Sequence, residues 1–216
     1  MKSVLLSIKP KYCDLIADGR KTIEIRKTKP KLDTPFKCYI YCTKDKNISF
    51  WTGKRYSYAD DRSHNLFDVC GNGKVIGEFI CSEITEFESE FWDDETYERI
   101  QKIIKDCDRY FEFGEYEYET VTTNEDEKYR ENWLCKQSRV SWEEMRKYVG
   151  VGIKEFYGWH ISDLKIYDKP KELNEFRQWH KCEHYFHCKA GEYSCDGTYK
   201  LTRPPQSWCY VEEGAR

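Results

Sequence analysis

Gly19-Arg20-Lys21-Thr22-Ile23-Glu24-Ile25-Arg26 forms the first helix-to-strand turn of this chain. Tyr12, Leu15 and Ile16 before it give one apolar helical face, and Pro10 suits the first turn of that helix. Gly19 supplies the stop. From Thr22 to Thr28 the residues alternate as a strand. Ile23 and Ile25 point one way, and Thr22, Glu24 and Arg26 the other. Lys21, Arg26 and the Glu24 carboxylate are thereby concentrated at one turn, either as a solvated sheet face or as the floor of a polar site.

On either side of this turn the chain alternates strand and helix patterns. Val4 to Ile8 reads as a strand, and so does Phe36 to Thr43. Lys74 to Phe87 is the longest strand pattern, with Gly77 marking a bulge or a close backbone approach. Asp93 or Asp94 opens a helix through Cys107. Residues 110–118 read as a hairpin. Ser141 and Glu144 make a capping box for a helix to Tyr148. Phe156 to Tyr167 reads as a closing strand. Strands mixed with a few helices, without a βαβ rhythm, predict an α+β fold.

Composition narrows the class. With 35% charged residues yet 16% aromatics, the chain has the rings to build a core that a disordered chain lacks. At 216 residues it holds one substantial domain. Met1-Lys2-Ser3-Val4-Leu5-Leu6-Ser7 is too short and too soon polar for a signal peptide, and no apolar run approaches a membrane span. The expectation is a cytoplasmic protein without a membrane partner, whose 11 cysteines are thiols or metal ligands. Charge is uneven. Residues 1–60 carry 14 Lys and Arg against 6 Asp and Glu, whereas residues 61–131 carry 8 against 21. An anionic partner is drawn to the first part and repelled by the second.

Ser7-Ile8-Lys9-Pro10, the short helix, and the Gly-x-Lys-x-x-Glu-x-Arg core at Gly19, Lys21, Glu24 and Arg26 together resemble the start of the ASCH domain, of the PUA-like superfamily. Lys74-Val75-Ile76-Gly77-Glu78-Phe79 resembles its strand leaving the barrel, and Tyr157-Gly158-Trp159-His160-Ile161 its closing strand. The resemblance implies a PUA-like mixed β-barrel with flanking helices over residues 1–168, with insertions at about 44–73 and 108–135. By the same resemblance, residues 169–216 are expected to be a C-terminal extension packed on that domain. Its Arg203-Pro204-Pro205-Gln206-Ser207-Trp208-Cys209-Tyr210 is similar to extensions of bacterial and phage relatives.

The function so implied is binding of RNA or a modified nucleoside in a cleft at the barrel mouth. No cofactor is required for this, and protein partners stay unassigned. An alternative is an amidohydrolase deacylating acetylated cytidine or a similar nucleoside, with Lys21 and Glu24 catalytic. Such enzymes carry Thr where this chain has Glu24. They also use a Glu shortly before the helix opening here at Ser141, where this chain reads Cys135-Lys136-Gln137-Ser138. A third alternative is a protein-interaction module working through the acidic middle segment.

The chemistry of the residues fits a reader. A base edge mixes donors and acceptors, so Glu24 can accept from an amino group while Lys21 and Arg26 meet a carbonyl or phosphate. Catalysis by Lys21 would need a lowered pKa. Stacking candidates are Tyr41, Trp51, Tyr56, Tyr58 and, first, Trp159. Lys9 and Thr43 sit at strand ends near the motif, and Glu78 follows Gly77. In the tail, Cys182, Cys188, Cys195 and Cys209 can supply four tetrahedral ligands to a structural zinc, with His184 or His187 able to substitute. Their spacing is not that of paired Cys-x-x-Cys ligands, and buried reduced thiols account for them equally simply.

Overall fold

A computed structural model describes residues 2–52, 69–88, 133–150, 155–179 and 197–213. These form strand β1 (Ser3–Ile8), helix α1 (Pro10–Ala17), β2 (Ile23–Arg26), β3 (Phe36–Cys42), β4 (Val75–Glu88), α2 (Trp133–Ser138), α3 (Trp142–Val149), β5 (Glu155–Lys171), a single 3-10 turn at Leu173–Glu175, β6 (Phe176–Trp179), β7 (Thr198–Lys200) and β8 (Trp208–Glu213). The expected helix after Asp94 and the hairpin at 110–118 lie outside the described residues.

The strands make one mixed sheet in the order β2-β5-β4-β3-β1-β8-β6-β7. This is the α+β class expected. The order ends at β2 and β7, so among the described residues the sheet does not close on itself as the expected barrel would. β1 pairs parallel with β3 and antiparallel with β8. A parallel pair needs a long crossover, and residues 9–35, including α1, provide it. Val4, Leu5 and Leu6 are all buried, because β1 has a neighbour on each side and cover on both faces.

The chain divides into two compact units: residues 1–19, 30–82 and 161–216, and residues 20–29 and 83–160. In the first unit, α1 starts at Pro10 and buries Cys13 and Ile16. It ends before Gly19, whose φ of 74° lies in the left-handed region that glycine tolerates. One face of the sheet packs Leu5, Tyr39, Val75, Phe176, Cys209 and Val211 together. Tyr39 meets Phe176 edge-on at 4.9 Å.

β3 and β4 slip register once. Ile40 lies opposite Gly77 and Tyr41 opposite Val75, which leaves Ile76 as the extra residue of a bulge. A Cβ on Gly77 would stand 2.5 Å from the Lys165 carbonyl oxygen of β5. The break in the strand pattern at Gly77 is thus both a bulge and a close backbone approach.

In the second unit, β2 pairs antiparallel with the start of β5, from Ile23 opposite His160 to Arg26 opposite Tyr157. Helix α3 carries the expected capping box: the Ser141 hydroxyl accepts from the Glu144 N–H, and the Ser141 N–H donates to the Glu144 carboxylate. Thr85 and His160 share a 2.8 Å hydrogen bond.

Candidate functional site

The turn at Gly19–Arg26 does not end in a solvated face. Lys21 is 2% exposed, Glu24 7% and Arg26 4%. All four residues of β2 are buried, polar and apolar alike.

The cover comes from the end of α2. That short helix closes on Arg139, whose φ of 51° places it in the left-handed region usual for the residue after a helix. Its last carbonyls need donors, and the motif supplies them. The Thr22 N–H donates to the Gln137 carbonyl at 2.9 Å. Lys21 Nζ donates to the Ser138 carbonyl at 2.5 Å, across 117 residues of chain. The Thr22 hydroxyl donates to the Gln137 side-chain oxygen. Arg139 Nε returns to the Arg20 carbonyl at 3.1 Å. A lysine ammonium at a helix C-terminus also suits the negative end of the helix dipole.

Lys21 Nζ has two further acceptors, the Ile23 carbonyl at 2.8 Å and Glu24 Oε2 at 3.2 Å. These three match the three donors of an ammonium. The other Glu24 oxygen, Oε1, accepts from Arg26 Nη2 at 2.9 Å. The three predicted residues therefore form one continuous chain of charges, Lys21–Glu24–Arg26, with the carboxylate between the two cations.

Glu24 faces Trp159 across the β2–β5 pair, and Arg26 faces Tyr157. Directly opposed residues share a sheet face, so two rings flank the charged chain. Trp159 is fully buried and turns no ring face to solvent. Tyr157 and Ser138 are not among the site residues that the sequence singles out. The signal for Tyr157 was present: it stands two residues before Trp159 on one strand. Nothing local points to Ser138, whose link to Lys21 is purely tertiary. The Tyr157 hydroxyl donates to Glu155 at 2.9 Å. Loss of solvation, that hydrogen bond and the negative charges of Glu155 and Glu86 push it up to about 12.

The other predicted residues lie in the first unit. Lys9, exposed, precedes α1, and Thr43 directly follows β3; the Thr43 N–H donates to the carbonyl of Ile8, the residue before Lys9, at 2.8 Å. Glu78 has its own network. It accepts from the Tyr167 hydroxyl at 2.6 Å and from Lys37 Nζ at 3.3 Å. Burial alone would raise its carboxyl, but Tyr167, Lys37 and the charge of Lys165 hold it below its ordinary value.

Of the stacking candidates, Tyr41 is buried, Trp51 is half-buried, and Tyr56 and Tyr58 lie outside the described residues. So do Cys182, Cys188, Cys195, His184 and His187. Cys209 packs in the core with Leu5, Phe176 and Val211, and burial pushes its thiol up to about 12. Among the described residues no group of three or more His, Cys, Asp or Glu could hold a metal ion, and no helix is long and apolar enough to cross a membrane.

A mixed sheet with flanking helices, and a Gly-x-Lys-x-x-Glu-x-Arg motif that leads into its second strand and buries its Lys, Glu and Arg, define the class. The chain belongs to the ASCH domain family, whose model matches residues 6–193. Among solved structures it is similar to an ASCH protein from Zymomonas mobilis, at 15% identity and a TM-score of 0.41 over 79% of this chain and 73% of that one. It is also similar to two point mutants of that protein. A Tyr-to-Phe mutant is 13% identical, with a TM-score of 0.43 over 80% and 77% of the two chains. A Ser-to-Ala mutant is 14% identical, with a TM-score of 0.42 over 79% and 74%. No curated protein matches the chain by sequence.

Proposed function

We propose that this protein binds RNA or a modified nucleoside at the Lys21–Glu24–Arg26 chain, as a reader rather than a hydrolase. The observation that carries this reading is the burial of three linked charges, Lys21 just before β2 and Glu24 and Arg26 on it. An exposed ion pair contributes about 0–1 kcal/mol and needs no function to explain it. A buried one commonly stabilises no better than apolar residues of the same size. Buried charge clusters are therefore more at home in sites than in plain cores. The pairing of carboxylate and guanidinium offers an acceptor and a donor fork to a base edge. ASCH domains are often linked to RNA binding, in line with this.

The state of Lys21 favours binding over hydrolysis. Its ammonium is engaged by two carbonyls and Glu24. A base or nucleophile needs an accessible lone pair, and here three acceptors already surround the nitrogen.

Incubation with acetylated cytidine separates the two. The reader predicts saturable binding without release of free cytidine. Steady release of cytidine, lost in Lys21→Ala, would establish the amidohydrolase instead. A structural zinc held through Cys182, Cys188, Cys195 and Cys209 is a separate proposal, for which elemental analysis after dialysis gives a yes or no. The zinc would have to draw the proton from a buried Cys209.

A further inference from the structure

In the first unit, alternation along β8 puts Cys209 and Val211 into the core and turns Trp208, Tyr210 and Glu212 to the opposite face. The register carries that second face across the neighbouring strands. Glu212 lies opposite Arg177, which brings Trp179 opposite Tyr210 one step on. Arg177 in turn lies opposite Lys200 of β7. On β1 the same face carries Val4 and Leu6, opposite Tyr210 and Trp208 and fully buried. At β8 and β6 the cover thins: Trp179, Trp208 and Tyr210 are half-buried, and Lys200 is exposed.

Three rings thus form a shelf at one end of the sheet. Trp208 and Tyr210 meet edge-on at 5.4 Å. Lys2 Nζ stands 5.0 Å from the Trp179 ring centre and 6.0 Å from that of Tyr210. The Tyr210 hydroxyl accepts from the Lys31 N–H at 2.7 Å, which puts exposed Lys31 beside the shelf. Among the described residues of this face of β6, β7 and β8, Glu212 is the only acid.

We infer that this shelf of Trp179, Trp208 and Tyr210, ringed by Lys2, Lys31 and Lys200, is a separate docking surface for single-stranded RNA. Bases stack on the indoles, and the lysines take phosphates. The charge argument is local: three exposed lysines and Arg177 surround rings that face one carboxylate. Rings at a sheet face suit unpaired bases, because every base has a π-face and each stacked base contributes about 1–3 kcal/mol. A duplex hides those faces and would gain only the lysines. Lys2, on a flexible stem, leaves the rings for a phosphate as a base arrives. The choice of RNA as the polyanion rests on the function proposed above; the surface itself does not.

Fluorescence anisotropy of the full chain with labelled oligouridylate of about 12 nucleotides, a length such platforms span, tests this. An RNA duplex of equal length is the comparison. The expected result is tighter binding of the single strand. Lys2→Ala with Lys200→Ala should weaken it several-fold and flatten the log–log salt slope by about 1.4, two phosphates' worth. Trp179→Leu should weaken it about tenfold, and Trp179→Phe should largely keep it. Equal binding of single strand and duplex, or a lysine double variant that binds like the wild type, overturns the inference. The two lysines are exposed, so this arm holds even where Trp179→Leu fails to fold. The same Lys2→Ala with Lys200→Ala variant should keep its binding of single nucleosides while its oligouridylate binding weakens, which separates the two sites.

Discussion

Glu78 and Lys21 show how the environment of a single charge sets its behaviour. Glu78 is held below its ordinary value by Tyr167, Lys37 and Lys165 against the opposing effect of burial. A depressed carboxyl adds stability that is present above its unfolded value and lost as pH falls through its folded value. Tyr167→Phe removes the 2.6 Å donor. The Glu78 carboxyl should then titrate at higher pH in an NMR titration, and acid unfolding should begin at higher pH. An unmoved titration would mean that Tyr167 does not hold the carboxylate. For Lys21, Glu24 and Arg26 the sequence supplied the residues and their order into and along β2. It did not supply their burial. Alternation puts Glu24 and Arg26 on one face and leaves it either solvated or enclosed; the docking of Ser138 on Lys21, 117 residues away, encloses it.

Among the elements, β4 and α3 carry signals that are local and therefore legible. Gly77 breaks a long β pattern because its neighbour is backbone: an added Cβ would press on the Lys165 carbonyl oxygen at 2.5 Å. Gly77→Ala should cost about 1–3 kcal/mol, as overpacking does. Thermal unfolding would show a Tm lower by several degrees, whereas an unchanged Tm would mean that β5 moves aside freely. Ser141→Ala removes half of the capping box and should cost about 0.5–2 kcal/mol, read by urea denaturation, with Ser141→Asp largely restoring it. The strand β8 was not legible. Trp208-Cys209-Tyr210-Val211 follows Pro204-Pro205 and sits among cysteines and histidines that suggest a metal-held tail. Its strand character comes from pairing with β1, at the far end of the chain.

For the whole molecule, mean composition conceals the distribution that matters. Net charge is -3. The first 60 residues nonetheless carry an excess of cations, and they contribute the motif, Lys2 and Lys31. Single-stranded RNA affinity should fall log-linearly with salt, by about 0.7 for each phosphate neutralised, despite the acidic total. A salt-independent affinity would exclude the cationic part as the contact. The α+β class followed from the mix of patterns. The order of the described strands, which does not close among them, did not, because strand order is set by long-range pairing that alternation does not encode.

Saturation-transfer NMR of the full chain with the nucleosides of hydrolysed total RNA, repeated on Lys21→Met/Arg26→Met with folding checked by circular dichroism, addresses the buried charge chain itself. Single nucleosides are too small to depend on an extended RNA surface. The proposed reader predicts transfer to at least one nucleoside in the wild type and its loss in the folded double variant. No transfer in the wild type, or equal transfer in the variant, would contradict nucleoside binding at Lys21, Glu24 and Arg26.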